Sequence, residues 1–113
     1  MRLYADYIKE REDKECVYNE HCFITYNLYD DSVSIIDIYS SLEVRGSKIM
    51  LNFCKDFFEK MWKQGIKTAY GYTDESTNGW ENSERLMLKF GFKKLDKIEE
   101  NYNNYILNIE EIL

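Results

Sequence analysis

Arg45, Gly46, Ser47 and Lys48 stand together just before a long apolar-periodic run. Here residue type and spacing suggest chemistry most directly. The first turn of a helix carries free N–H groups and the positive end of the macrodipole, so Asp or Glu is the stabilising choice there. Cations in that position cost roughly 0.3–1 kcal/mol each while nothing is bound, and become favourable once an anion docks. A glycine beside them lets backbone approach the ligand. The pattern suggests a phosphate site; the alternative is that both side chains extend into water and Glu43 partly offsets them. Other reactive residues suggest less. His21 is the only histidine, and in a strand its neighbour Cys22 points to the opposite face, which argues against a Cys–His nucleophile. Cys16, Cys22 and Cys54 are odd in number and match no zinc spacing, so neither disulfides nor a structural metal are expected.

The elements that would position these residues follow from periodicity. Ile49/Met50, Phe53/Cys54, Phe57/Phe58 and Met61/Trp62 recur every four residues and draw one buried stripe along a helix running to Lys63. Gly65 is placed for the left-handed turn beyond it. Cys22–Tyr29 and Ser32–Ser40 read as strands of an antiparallel hairpin across Asp30-Asp31. Residues 67–73 read as a strand parallel to Ser32–Ser40, because a helix connects the two. Gly71 within it suggests a bulge or a close approach of another group. Trp80–Phe90 reads as a second amphipathic helix ended by Gly91, Tyr4–Glu15 as a charged surface helix, and Phe92–Ile98 with Tyr105–Ile109 as a closing hairpin. The result is a single-domain mixed α/β (α+β) fold with a partly antiparallel sheet.

Length and composition set the outer bounds. With 113 residues, 44% of them hydrophobic, the chain makes one modest core. A net charge of −6 without a basic run argues against nucleic acid and suits a cationic partner. No apolar run approaches a membrane span and the first residues are too charged for a signal peptide, so a cytoplasmic location is expected.

Asp37-Ile38-Tyr39, followed eight residues after the Asp by Arg45-Gly46, resembles the central strand and pyrophosphate loop of the GNAT superfamily of acyl-CoA-dependent N-acetyltransferases. The helix from Gly46 to Lys63 and the strand 67–73 resemble the rest of its acetyl-CoA-binding segment. Asn78-Gly79, Leu86 and Phe90-Gly91-Phe92 are similar to its last loop, helix and closing signature. The likeness covers residues 32–92, with an abbreviated N-terminal part over 1–31 and a C-terminal hairpin over 92–113, in the manner of small bacteriophage members. It implies two adjacent strands that splay apart and admit acetyl-CoA as co-substrate. Pantetheine would pair with the main chain of Ile38, Tyr39 and Ser40, and the pyrophosphate would rest on the amides of Gly46, Ser47, Lys48, Ile49 and Met50 beside Arg45. Asn78 is then a ligand contact, or simply a turn residue and helix cap.

Acetyl transfer needs a base for the ammonium proton and a donor for the carbonyl oxygen. Asp37 is expected to share a strand face with Ile35 and Tyr39, to be partly desolvated, and to be that base; alternatively it is a half-exposed residue paired with a lysine. Glu43 is a weaker, more solvated candidate. The chain departs from the resemblance in three places. Lys48 and Met50 replace small residues of the loop, Met50 bringing bulk near the ligand or packing beneath it. Met87 stands where many members carry the tyrosine that protonates the leaving thiolate, so Tyr39, Tyr70, Tyr72 or water must serve. Two functions remain open: an N-acetyltransferase acting on a protein lysine, a protein N-terminus or a small amine, or a catalytically inactive GNAT-fold module that binds a protein. A homodimer is compatible with either.

Overall fold

Ser32–Ser40 interleaves β-branched and aromatic residues with small polar ones, and the computed structural model, which describes residues 1–113, places it near the middle of a six-stranded sheet. In chain order the elements are α1 (Arg2–Glu12), β1 (Glu15–Tyr18), β2 (Cys22–Leu28), β3 (Ser32–Ser40), α2 (Lys48–Lys63), β4 (Thr68–Asp74), α3 (Trp80–Phe90), β5 (Lys93–Lys94) and β6 (Tyr102–Asn108), with short 3-10 turns at Leu42–Val44 and Ile109–Ile112. The strand order is β1-β2-β3-β4-β6-β5. Every pairing is antiparallel except β3 with β4.

Three differences from the sequence reading have physical causes. The first helix stops at Glu12, because Asp13 turns into the left-handed region (φ 52°) and the Lys14 N–H donates back to Ile8 O at 3.3 Å. The next residues form the edge strand β1, whose short Glu-Cys-Val-Tyr run is hidden in sequence by the charges before it. The closing hairpin is lopsided: β5 has two residues, and the loop from 95 to 101 takes the rest.

Helix α2 realises its apolar stripe. Met50, Cys54, Phe57, Phe58 and Met61 are buried, while Ile49 at the outer edge is exposed. Ser47 caps its start by accepting from the Ile49 N–H at 3.2 Å. Its end is closed by Gly65 (φ 87°), whose N–H donates to Trp62 O, and by Ile66, whose N–H donates to Met61 O, both at 3.0 Å. Phe57 packs edge-on against Tyr26 of β2, and Phe58 against Phe90 and Phe92, so α2 and α3 share one face of the sheet. α1 lies on the other face, with Tyr4 against Phe23 and Ile8 buried. Burial pushes the Cys54 thiol up to about 12, as befits a core residue rather than a nucleophile. No helix is long and apolar enough to cross a membrane.

A buried polar network ties α3 to the sheet. The Tyr105 hydroxyl bonds Thr73 Oγ1 at 2.8 Å and donates to Glu84 Oε2 of α3. Asn103 donates from Nδ2 to Thr73 Oγ1 (3.2 Å) and to Glu75 Oε2 (2.8 Å). Burial, reinforced by Glu84, pushes the Tyr105 pKa up to about 12, while bonds from Lys94 and Tyr105 hold the Glu84 carboxyl below its ordinary value. Removing one partner from such a network leaves buried groups unsatisfied, at a cost of about 1–3 kcal/mol. Tyr105→Phe is therefore expected to lower the unfolding free energy in urea by that amount at unchanged m-value; an unaltered midpoint would show that the hydroxyl contributes nothing.

Candidate active site

β3 follows β2 with a single interruption. Thr25 lies opposite Asp37 and Tyr26 opposite Ile35, so Ile36 is an extra residue with no partner on β2. Such a bulge bends its strand and resets the alternation of its side chains. Pairing with β4 runs only from Ser32–Thr68 to Ser34–Tyr70 and stops just before the bulge. Beyond it the two strands diverge. β3 stays with β2, β4 stays with β6 as far as Asp74–Tyr102, and a wedge opens between them.

A cavity of about 260 Å³ occupies this wedge. Ile35–Ile38 form one wall and Gly71–Asp74 the other; Asn78, Trp80, Ser83, Leu86 and Met87 close it from the α3 side. Gly71 serves close approach rather than a bulge. A Cβ there would lie 2.6 Å from Met87 Sδ, so the missing side chain lets α3 settle onto β4.

The bulge also corrects the placement of Asp37. Strict alternation would put it on the face of Ile35; instead Ile35 and Ile38 align with Tyr26 and Ile24 over α2, and Asp37 turns with its cross-strand partner Thr25 to the α1 face. It remains beside the wedge, and Tyr39 shares its face as expected. Although Asp37 is exposed at the surface, partial desolvation raises its pKa above the ordinary Asp value; Lys14 and the nearby Thr25 hydroxyl act in the opposite direction, and Glu12 adds to the rise. A proton on the folded protein is thus held more tightly than on the unfolded chain, so the contribution of Asp37 to stability falls as pH rises from the unfolded pKa through the folded one. Asp37→Asn is expected to raise the melting temperature at pH 7, with the gain vanishing below about pH 3, under the ordinary Asp range. A less stable Asn variant at pH 7 would mean that Lys14 outweighs desolvation.

The loop after β3 leads into α2. Gly46 takes positive φ (73°), Ser47 donates from Oγ to Val44 O, and the amides of Gly46, Lys48 and Met50 find no acceptor in the chain. Lys48 and Ile49 are exposed, whereas the Met50 side chain is buried in the core at 4% exposure, so its bulk packs beneath the loop and away from the amides. Arg45 donates from Nε to Ser40 O at 3.2 Å, and its guanidinium lies 5.2 Å from the centre of the Tyr39 ring.

Several expected roles change with this geometry. Tyr39 is absent from the wedge lining, its ring stacked on Phe23 and under Arg45, so its phenol is not placed as an acid there. Tyr72 and Tyr102 are the phenols that line the wedge, and Tyr70 is not among them. Asn78 caps nothing: α3 starts after Gly79 in the left-handed region (φ 83°) with no side-chain cap, and Asn78 lines the cavity instead. Glu43 is solvated, 3.4 Å from His21 Nδ1. Cys22, next in the chain to that half-buried histidine, is itself buried. Ser83 and Tyr102 escape a reading of the sequence alone; only the helical spacing of Trp80, Ser83 and Met87 hints at the first of them.

Solved structures share this fold. The chain is similar to PaiA N-acetyltransferase from Thermoplasma acidophilum in complex with coenzyme A, with a TM-score of 0.72 at 15% identity over 95% of this chain and 69% of that one. It is similar to a GNAT family acetyltransferase from Elizabethkingia anophelis with acetyl-CoA bound, with a TM-score of 0.65 at 19% identity over 94% and 86%. A third, the ribosomal-protein-S18-alanine N-acetyltransferase from Escherichia coli, gives 0.61 at 12% identity over 93% and 72%. No family model and no curated protein matches the sequence. At these identities the likeness is one of architecture: the chain has the fold of the GNAT acetyltransferases.

Proposed function

We propose that this protein is an acetyl-CoA-dependent N-acetyltransferase that acylates an amine of a protein or small molecule by direct attack on the thioester. One observation carries the reading: the unpaired edge of β3 beyond Ser34 leads straight to the unpartnered amides of Gly46, Lys48 and Met50 at the cationic start of α2. Those neighbours whose structures hold coenzyme A or acetyl-CoA support it. In this reading pantetheine pairs with the main chain of Ile38, Tyr39 and Ser40. The pyrophosphate sits on the amides from Gly46 to Met50, with Ser47 Oγ reserved for the Ile49 amide and Arg45 and Lys48 supplying charge.

The acceptor approaches from the α1 face, where Asp37 and Asp74 flank the wedge with Tyr72 and Tyr102. That setting, on a chain of net charge −6, favours a cationic amine. The amine nitrogen attacks the thioester carbon while Asp37 takes its proton, a task suited to a carboxyl with a raised pKa. A β3 main-chain N–H steadies the oxyanion. The C–S bond then breaks, and the thiolate takes a proton from Tyr72 or water, since Met87 has none to give. Met87 also favours a second reading, a catalytically inactive GNAT-fold module that binds a protein.

Release of free CoA thiol from acetyl-CoA across a panel of polyamines, lysine peptides and peptide N-termini separates the two. Turnover is expected with the cationic members, and Asp37→Asn should cut kcat about 100-fold or more. No turnover with any member of the panel would count against the enzyme and in favour of the second reading.

A further inference from the structure

A row of three rings crosses the α1 face of the sheet and ends on the loop cation. Tyr4 of α1 meets Phe23 of β2 with ring centroids 5.6 Å apart. Phe23 stacks on Tyr39, its direct cross-strand partner, at 5.6 Å and 26° between planes. The Arg45 guanidinium lies over the Tyr39 ring, 5.2 Å from its centre. A second tether fixes the same side chain, the Nε–H donated to Ser40 O at 3.2 Å.

An arginine on a surface loop ordinarily loses about 2 kcal/mol of rotamer freedom on being fixed to a ligand. Here two contacts have already restrained Arg45. They use Nε and one face of the guanidinium, and leave the Nη donors for a partner. The phenol of Tyr39 plays no part in the arrangement: the attraction comes from the ring face, and the ring is held in turn by Phe23. Tyr39 is also outside the wedge lining, which leaves its hydroxyl no reacting atom to serve.

We infer that Tyr39 is a positioning residue for Arg45, presetting the guanidinium through its ring face so that it meets the pyrophosphate of the acyl donor without further ordering. This rests on the acyl-CoA reading above and adds a specific dependence to it. The affinity for CoA depends on an aromatic ring at position 39 and not on a hydroxyl, and that dependence vanishes when Arg45 is absent.

A double-mutant cycle with CoA as the probe tests it, using calorimetric Kd values and, where turnover is found, the KM for acetyl-CoA. Tyr39→Phe is expected to hold the Kd within about twofold. Tyr39→Leu should raise Kd and KM about 2- to 5-fold, the equivalent of an exposed cation–π contact, without lowering kcat. Arg45→Ala should raise Kd further, and adding Tyr39→Leu to it should change nothing more. In the free protein, the Arg45 Nε–H proton should carry a ring-current shift that persists in Tyr39→Phe and disappears in Tyr39→Leu. Equal Kd values for wild type and Tyr39→Leu, or additive losses with Arg45→Ala, would overturn the inference and leave the acyl-CoA reading standing. A fall in kcat in Tyr39→Phe at unchanged Kd would also overturn it, by making the phenol catalytic. A wild type that binds no CoA while its Arg45 proton is ring-shifted would overturn the acyl-CoA reading and, with it, the role of the contact in presetting a phosphate ligand.

Discussion

The extra residue at Ile36 is the constraint on which the rest of the structure depends. Without it β3 would continue its alternation and could keep pace with β4; with it, β3 bends away after Ser34 and the sheet parts. The same residue keeps Ile38 on the core side with Ile35 and turns Asp37 outward with Thr25. One local irregularity therefore opens a cavity and sets a carboxylate at its edge. It also leaves main-chain groups of β3 unpaired. Unpaired strand groups are costly when buried, and the proposed pantetheine chain would give these groups partners.

The other half of the wedge is fixed from behind. β4 is bound to β6 along its length, and α3 is drawn onto β4 by Met87 over Gly71 and by the Tyr105–Glu84 link. α2 connects both halves to the loop. Its inner stripe anchors the sheet, and the residues of its first turn divide by direction, Met50 into the core and Lys48 into solvent. Cationic charge at a helix start is locally unfavourable; this helix tolerates it because aromatic packing through Phe57 and Phe58 outweighs a term of about 1 kcal/mol. Stability and the cationic end thus reside in one element without competing for the same side chains.

Much of this is legible in the sequence, and the failures share a cause. The long helix, the β2–β3 hairpin, the parallel crossover to β4 and the glycine turns follow from local periodicity, which the structure obeys. The bulge does not announce itself in Ser-Val-Ser-Ile-Ile-Asp-Ile-Tyr-Ser, where two adjacent isoleucines fit either register, and so alternation alone puts Asp37 on the wrong face. Met50 carries two meanings until its helix is seen in place. The Tyr105, Thr73, Asn103 and Glu84 network joins residues far apart in the chain, and nothing local marks them as partners. Tyr39 is a plausible acid by type, but its stacking on Phe23 and Arg45 depends on a cross-strand register that composition does not encode.

Whether the wedge and the α2 start form one continuous acyl-CoA site, as proposed, is read from amide chemical shifts during titration with acetyl-CoA. Saturable shifts are expected from Ile38 to Ser40 and on through Gly46 to Met50, with the far end of the sheet around Lys67 and Lys93 undisturbed. Shifts confined to that far end, or none at millimolar ligand, would contradict the proposal.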